Sequence, residues 1–174
     1  MDAGCVEGLS EVCLSSRQLA AMGQVAVPLI EQLLAAGRLT GDAAVRLKVA
    51  VQEAVSNALE HGNLELLSAW KEQLLAEGED LFSVVRRQRL RDPVYAEKTV
   101  TVRAWCDPHA LVVEVVDEGQ GFIRQGALER QQCGVCVSGE VHCSGRGLTL
   151  MENGVDEVRF SQNGALVRLI KYLR

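Results

Sequence analysis

The sequence predicts an α+β fold, a two-layer α/β sandwich whose mostly antiparallel sheet carries its helices on one face. Apolar residues recur at helical spacing through the first half of the chain, and the period changes to two after Lys98. The chain then closes on a second hairpin pattern, Glu157 to Gln162 and Ala165 to Leu173, around an Asn163-Gly164 turn of the kind that joins paired strands. Helices early and hairpins late put a sheet against one helical layer, not a parallel sheet between two. At 174 residues the chain is sized for one domain, residues 1–174, with no internal repeat and no linker.

Residues 10–15 alternate well enough for a short strand. A helical stretch follows from about Ser16 to Ala36, which Pro28 bends or restarts and Gly37 closes. Thr40 is the expected N-cap of the next helix, with Asp42 near the positive end of its dipole. That helix is expected to end near Gly62, in a left-handed His-Gly-Asn cap. An insert at about 64–92 reads as one or two further helices, with Leu66, Leu67, Trp70, Leu74 and Leu75 on an apolar stripe and a break from Glu77 to Asp80. Arg86, Arg87, Arg89 and Arg91 read either as a solvated face or as a dock for an acidic partner. Two strands then flank the Asp107-Pro108-His109 turn, and Asp117-Glu118-Gly119-Gln120-Gly121 ends the second. Residues 122–144 lack periodicity, and Ser144-Gly145-Arg146-Gly147 opens a short helix that Gly154 ends.

Composition narrows the function. The net charge of −5 is spread along the chain, so nothing electrostatic favours nucleic acid. No apolar run approaches the roughly 20 residues of a membrane span. The acidic start MDAGCVEGLSEVC lacks the basic region of a signal peptide, so the expected location is cytoplasmic and the six cysteines are expected reduced.

The central helix, Val45 to Asn63, carries polar groups where a buried helix should not. Glu53, Asn57 and His61 recur every fourth residue, on one side at about 100° per residue, while Ala50, Ala54, Ala58, Leu47, Val51 and Val55 make the rest small or apolar. An unpaired buried polar group costs roughly 1–3 kcal/mol. Either these groups are satisfied internally, or the helix floors a cleft. Two glycine turns would suit the cleft, although a Gly-x-Gly pair is more often just a turn and an Asp at a strand end more often a turn former: Gly119 and Gly121 let backbone approach a flat ligand, Asp117 can accept from an exocyclic amine, and backbone N–H groups around Gly145 to Leu148, with Arg146, offer an anion cradle at a helix start. Asn57 could then hold Mg²⁺ through its carbonyl oxygen, with phosphate and water completing the shell.

These pieces in this order resemble the ATPase superfamily of gyrase, the heat-shock chaperone, histidine kinases and the mismatch-repair protein, with its Bergerat-type ATP-binding fold, and within it the bacterial anti-sigma-factor serine/threonine kinases. EAVSNALEHG (Glu53 to Gly62) matches the N box, DEGQGF (Asp117 to Phe122) the first glycine box and SGRGLTLMENGVDEV (Ser144 to Val158) the second. The resemblance implies Glu53 as general base, Asn57 as Mg²⁺ ligand, Asp117 as adenine reader, and Gly119, Gly121, Gly145, Arg146, Gly147 and Leu148 around the nucleotide. Residues 122–144 would be the ATP lid. ATP and Mg²⁺ are the implied cofactors, and a serine or threonine of a STAS-like anti-sigma-factor antagonist is the implied substrate. A sigma factor, a phosphatase and a second copy in a homodimer are further implied partners. The long insert, and Cys143 where some members carry a basic residue, depart from the pattern. They leave an alternative open, a non-catalytic ATP-binding module that sequesters a regulator. Cys133, Cys136, His142 and Cys143 also offer zinc-competent or redox-active side chains, without a second Cys-x-x-Cys knuckle.

Overall fold

The structure, a computed structural model, describes residues 9–75, 78–121 and 145–173, with the side chains of residues 145 and 146 outside the description. The strands are β1 Leu9–Ser15, β2 Thr99–Cys106, β3 Ala110–Asp117, β4 Glu157–Ser161 and β5 Leu166–Tyr172. The helices are α1 Ser16–Met22, α2 Pro28–Ala35, α3 Gly41–Asn57, α4 Leu81–Arg89, α5 Pro93–Ala96 and α6 Gly145–Gly154. Strand order is β1-β2-β3-β5-β4, and each neighbouring pair is antiparallel. This is the predicted α+β sandwich.

Period two in the strands decides which face meets the helices. Val100, Val102 and Ala104 of β2, Val113 and Val115 of β3 and Leu169 of β5 share one core with Leu33, Leu47, Val51, Val55 and Met151 of the helices. β3 is central and nearly continuous in apolar residues because its other face is covered too. There Val112 packs with Ala110, Ile170 and Trp105, and Glu114 accepts from Arg168 Nε at 2.8 Å while that guanidinium lies 5.8 Å over Trp105.

Local signals hold at most element starts. Thr40 caps α3 by accepting from the Ala43 N–H at 3.2 Å, and Asp80 caps α4 by accepting from the Ser83 N–H at 2.7 Å. The first helical stretch is two helices: α1 stops at Gly23 (φ +73°), and Pro28 opens α2. Gly37 (φ +69°) closes α2 as expected.

Three expectations are corrected. Gly62 is not a left-handed cap: α3 runs on into a π-helical turn, Ala58–Asn63, whose Leu64 N–H reaches Leu59 O at 2.8 Å. The insert is not a helical stripe through Leu75. A 3₁₀ turn, Ser68–Glu72, leads into an extended reversal in which Leu74 bridges Asp80 and Gly78 takes φ +80°. Leu74 is left 74% exposed, because the reversal turns it away from the core. The last hairpin has more than a two-residue loop. Gln162, Asn163 and Gly164 all take positive φ, and Ala165 O is drawn back to accept from the Asp117 N–H at 3.0 Å.

Candidate functional site

The site is built where α3, α6 and the end of β3 converge. α3 and α6 pack antiparallel: the α6 start lies on the α3 end, and the α6 end lies on the α3 start. At Gly154 a Cβ would stand 2.5 Å from both Ala50 Cβ and the Arg46 carbonyl oxygen, so only glycine lets the backbones come this close. At Gly147 a Cβ would stand 3.2 Å from Glu53 Oε2 and 3.4 Å from Asn57 Nδ2. The polar edge of α3 therefore faces the first turn of α6, whose N–H groups have no intrahelical acceptor. Glu53 and Asn57 are half-buried and carry no side-chain hydrogen bond among the described residues.

Asp117 forms the second part. Its carboxylate lies on the Cα of Gly62, where a Cβ would meet Oδ1 at 2.5 Å and Oδ2 at 2.7 Å. This close approach, not a left-handed turn, is why residue 62 is glycine. Gly119 packs on the Gly62 carbonyl, and its N–H donates to Asp117 Oδ1 at 2.8 Å. Burial raises the Asp117 carboxyl from its ordinary 3.8 to about 6, against the opposing pull of the Gly119 N–H and of the Lys98 charge. Gly121 (φ +79°) packs against Asn163 of the β4–β5 turn.

His61 separates from Glu53 and Asn57. The π turn breaks the fourfold spacing, so the ring nitrogen Nδ1 of His61 pairs with Leu66 O at 2.7 Å and the ring meets Phe82 edge-on at 6.3 Å. Its place is structural.

The family of the Histidine kinase-like ATPase domain matches residues 16–171. The chain belongs to this family. No curated protein matches it. The ATPase domain is thus an ATP-binding one, with the α+β sandwich of its kind. Among its described residues no helix is long and apolar enough to cross a membrane.

Leu148, expected beside the nucleotide, packs its side chain against the core, leaving only its backbone to the α6 start. The Arg146 side chain, the lid at 122–144 with Cys133, Cys136, His142 and Cys143, and Glu77 within the insert's break lie outside the described residues. The arginines of the insert are mostly committed within the domain. Arg86 pairs with Glu60 at 3.7 Å, Arg87 with Glu79 at 2.7 Å, and Arg89 donates to Leu64 O and lies 4.7 Å over Tyr95. Sequence reasoning missed Asn63, which is fully buried and hydrogen-bonded to the turn that holds Asp117. The signal was there, an amide directly after the N-box glycine, but it read as a cap.

Proposed function

We propose that this ATPase domain is a protein serine/threonine kinase of the anti-sigma-factor type, acting on a STAS-like antagonist and controlling a sigma factor by partner switching. The observation that supports it best is the meeting of Glu53 and Asn57, unpartnered among the described residues, with a glycine in the first turn of a helix. A carboxylate, a hard oxygen donor and backbone N–H groups at a helix start are the donor set that Mg·ATP requires. The residues fit the group.

In this reading Asp117 accepts from the adenine amine, and Gly62, Gly119 and Gly121 keep backbone close to the base. The backbone of Gly145, Arg146, Gly147 and Leu148 binds phosphate oxygens, with the Arg146 charge added. Asn57 Oδ1 would hold Mg²⁺, which when bound neutralises charge on the phosphates. Glu53 orients the incoming serine or threonine hydroxyl and takes its proton. The hydroxyl oxygen bonds to the γ-phosphorus, the bond to the β,γ-bridging oxygen breaks, and ADP leaves.

The test is incubation with γ-labelled ATP, Mg²⁺ and a purified STAS-type antagonist. Label on a serine or threonine of the antagonist is the expected result. Label released only as inorganic phosphate would make the domain an ATPase that works on water. Bound ATP without turnover would leave the sequestering module. The same mixtures, run on a sizing column, check for the homodimer and for ATP-dependent capture of a sigma factor; a phosphatase would be the further partner that resets the antagonist.

A further inference from the structure

We infer that Asn63 is a positioning residue for purine reading: its side-chain amide fixes the turn that carries Asp117. The inference rests on the proposed role of Asp117 and deepens it. Asn63 is 0% exposed and is the last residue of the π turn. The widened turn brings it to the ends of β2 and β3, where its amide is used on both sides. Oδ1 accepts from the Glu118 N–H at 2.9 Å, and Nδ2 donates to Thr99 O at 3.0 Å and to Ser16 Oγ at 3.1 Å. Ser16, also 0% exposed, donates in turn from Oγ to Lys98 O at 3.0 Å and from its N–H to the same oxygen at 2.8 Å.

One side chain therefore ties together the start of α1, the start of β2 and the turn after β3. The atom it holds in that turn is the N–H between Asp117 and Gly119. Glu118 closes the other side, where its carboxylate accepts from the Thr99 N–H at 2.5 Å. A shift of Glu118 would move Asp117 and Gly119 together, and with them the carboxylate that rests on Gly62. An amide satisfied at both ends, in a buried network, specifies one geometry.

The experiment compares ATP with inosine triphosphate, which lacks the exocyclic amine, by calorimetric binding to the full chain with Mg²⁺. The variants are Asn63→Ser, Ser16→Ala, Asp117→Asn and the double Asn63→Ser/Asp117→Asn, with Ile30→Val as a core change of similar stability cost. Wild type should prefer ATP. Asn63→Ser should lose about tenfold in ATP affinity, the scale of one buried hydrogen bond, with inosine triphosphate little changed. Ser16→Ala should narrow the preference by about threefold, and it carries the test if Asn63→Ser does not fold. Ile30→Val should keep the full preference. The double variant should bind ATP no worse than Asp117→Asn alone, since a residue acting through Asp117 has nothing further to lose. An ATP preference intact in Asn63→Ser and Ser16→Ala would overturn the inference and leave Asp117's role standing. A wild type with no preference, unaltered by Asp117→Asn, would instead remove the purine-reading role itself.

Discussion

Asn57 and Asn63 lie on consecutive turns of one continuous helix, yet their surroundings are opposite. Asn57 and its neighbour Glu53 are half-buried, without side-chain hydrogen bonds among the described residues, and face the Cα of Gly147. Asn63 is sealed from solvent and bonded to Ser16, Thr99 and Glu118. Among the described residues the polar side chains of the first region have no protein partner, and that of the second has all of its partners in place. An unsatisfied polar group costs roughly 1–3 kcal/mol when buried, so it persists only where water reaches it or a ligand replaces that water. A flat base, by contrast, is read by a surface already in place, because rigid contacts cost no reordering on binding. In the proposed reading, the end of the helix assigned to phosphate is the one with free side chains among the described residues, and the end assigned to the base is prebuilt.

The largest expected effect probes the open end. Glu53→Gln should slow phosphoryl transfer by about 10² to 10⁴ while leaving ATP affinity nearly intact, measured by single-turnover transfer beside calorimetric binding. Equal transfer rates would remove Glu53 from the chemistry. Gly62→Ala probes the prebuilt end. Its Cβ would meet the Asp117 carboxylate, with Oδ1 at 2.5 Å, so the carboxylate must shift from its seat. ATP affinity should fall by about 10²-fold, where Glu53→Gln leaves it nearly intact. Full affinity would mean that the Gly62 contact is dispensable.

Asn57→Ala should weaken Mg·ATP by about tenfold and ATP without Mg²⁺ by much less. Equal losses in both would assign Asn57 to the nucleotide alone. The smallest effect is a pH dependence. The folded Asp117 holds its proton up to about pH 6, against an ordinary 3.8, so its contribution to stability is fully present below 3.8 and is lost as pH rises through 6. At about 1.4 kcal/mol per unit, a shift of about two units bounds the effect near 3 kcal/mol, and partial solvent access reduces it to about 1–2 kcal/mol. Urea unfolding without nucleotide should therefore show a stability loss between about pH 4 and pH 7 that Asp117→Asn abolishes. A loss of the same size in that variant would place the titration elsewhere.

How much of this was readable depends on range. The capping of α3 by Thr40, the pause at Pro28 and the alternation of Val100, Val102 and Ala104 are local, and the structure keeps them. The insert was misread because Leu66 to Leu75 carries apolar residues at a spacing a helix can use, while the reversal at Gly78 pairs Leu74 with Asp80. Pairing across a gap overrides spacing within a segment. The last hairpin was misread in a similar way. Asn-Gly favours a two-residue turn, but Ala165 is drawn back by Asp117.

The sequence by itself determined the layers of the fold and which segments bring glycine and polar groups to one edge, because periodicity and turn chemistry act within a few residues. Glu53 and Asn57 on a common helical side followed from spacing alone. Only the tertiary structure decided what each group meets. It placed Gly147 against Glu53 and Asn57 through the antiparallel crossing of α3 and α6, and it removed His61 from that row through a π turn. It also made Gly62 a seat for a carboxylate and Asn63 a clamp, since both roles depend on β2 and β3, strands far along the chain that no local pattern near residue 62 encodes.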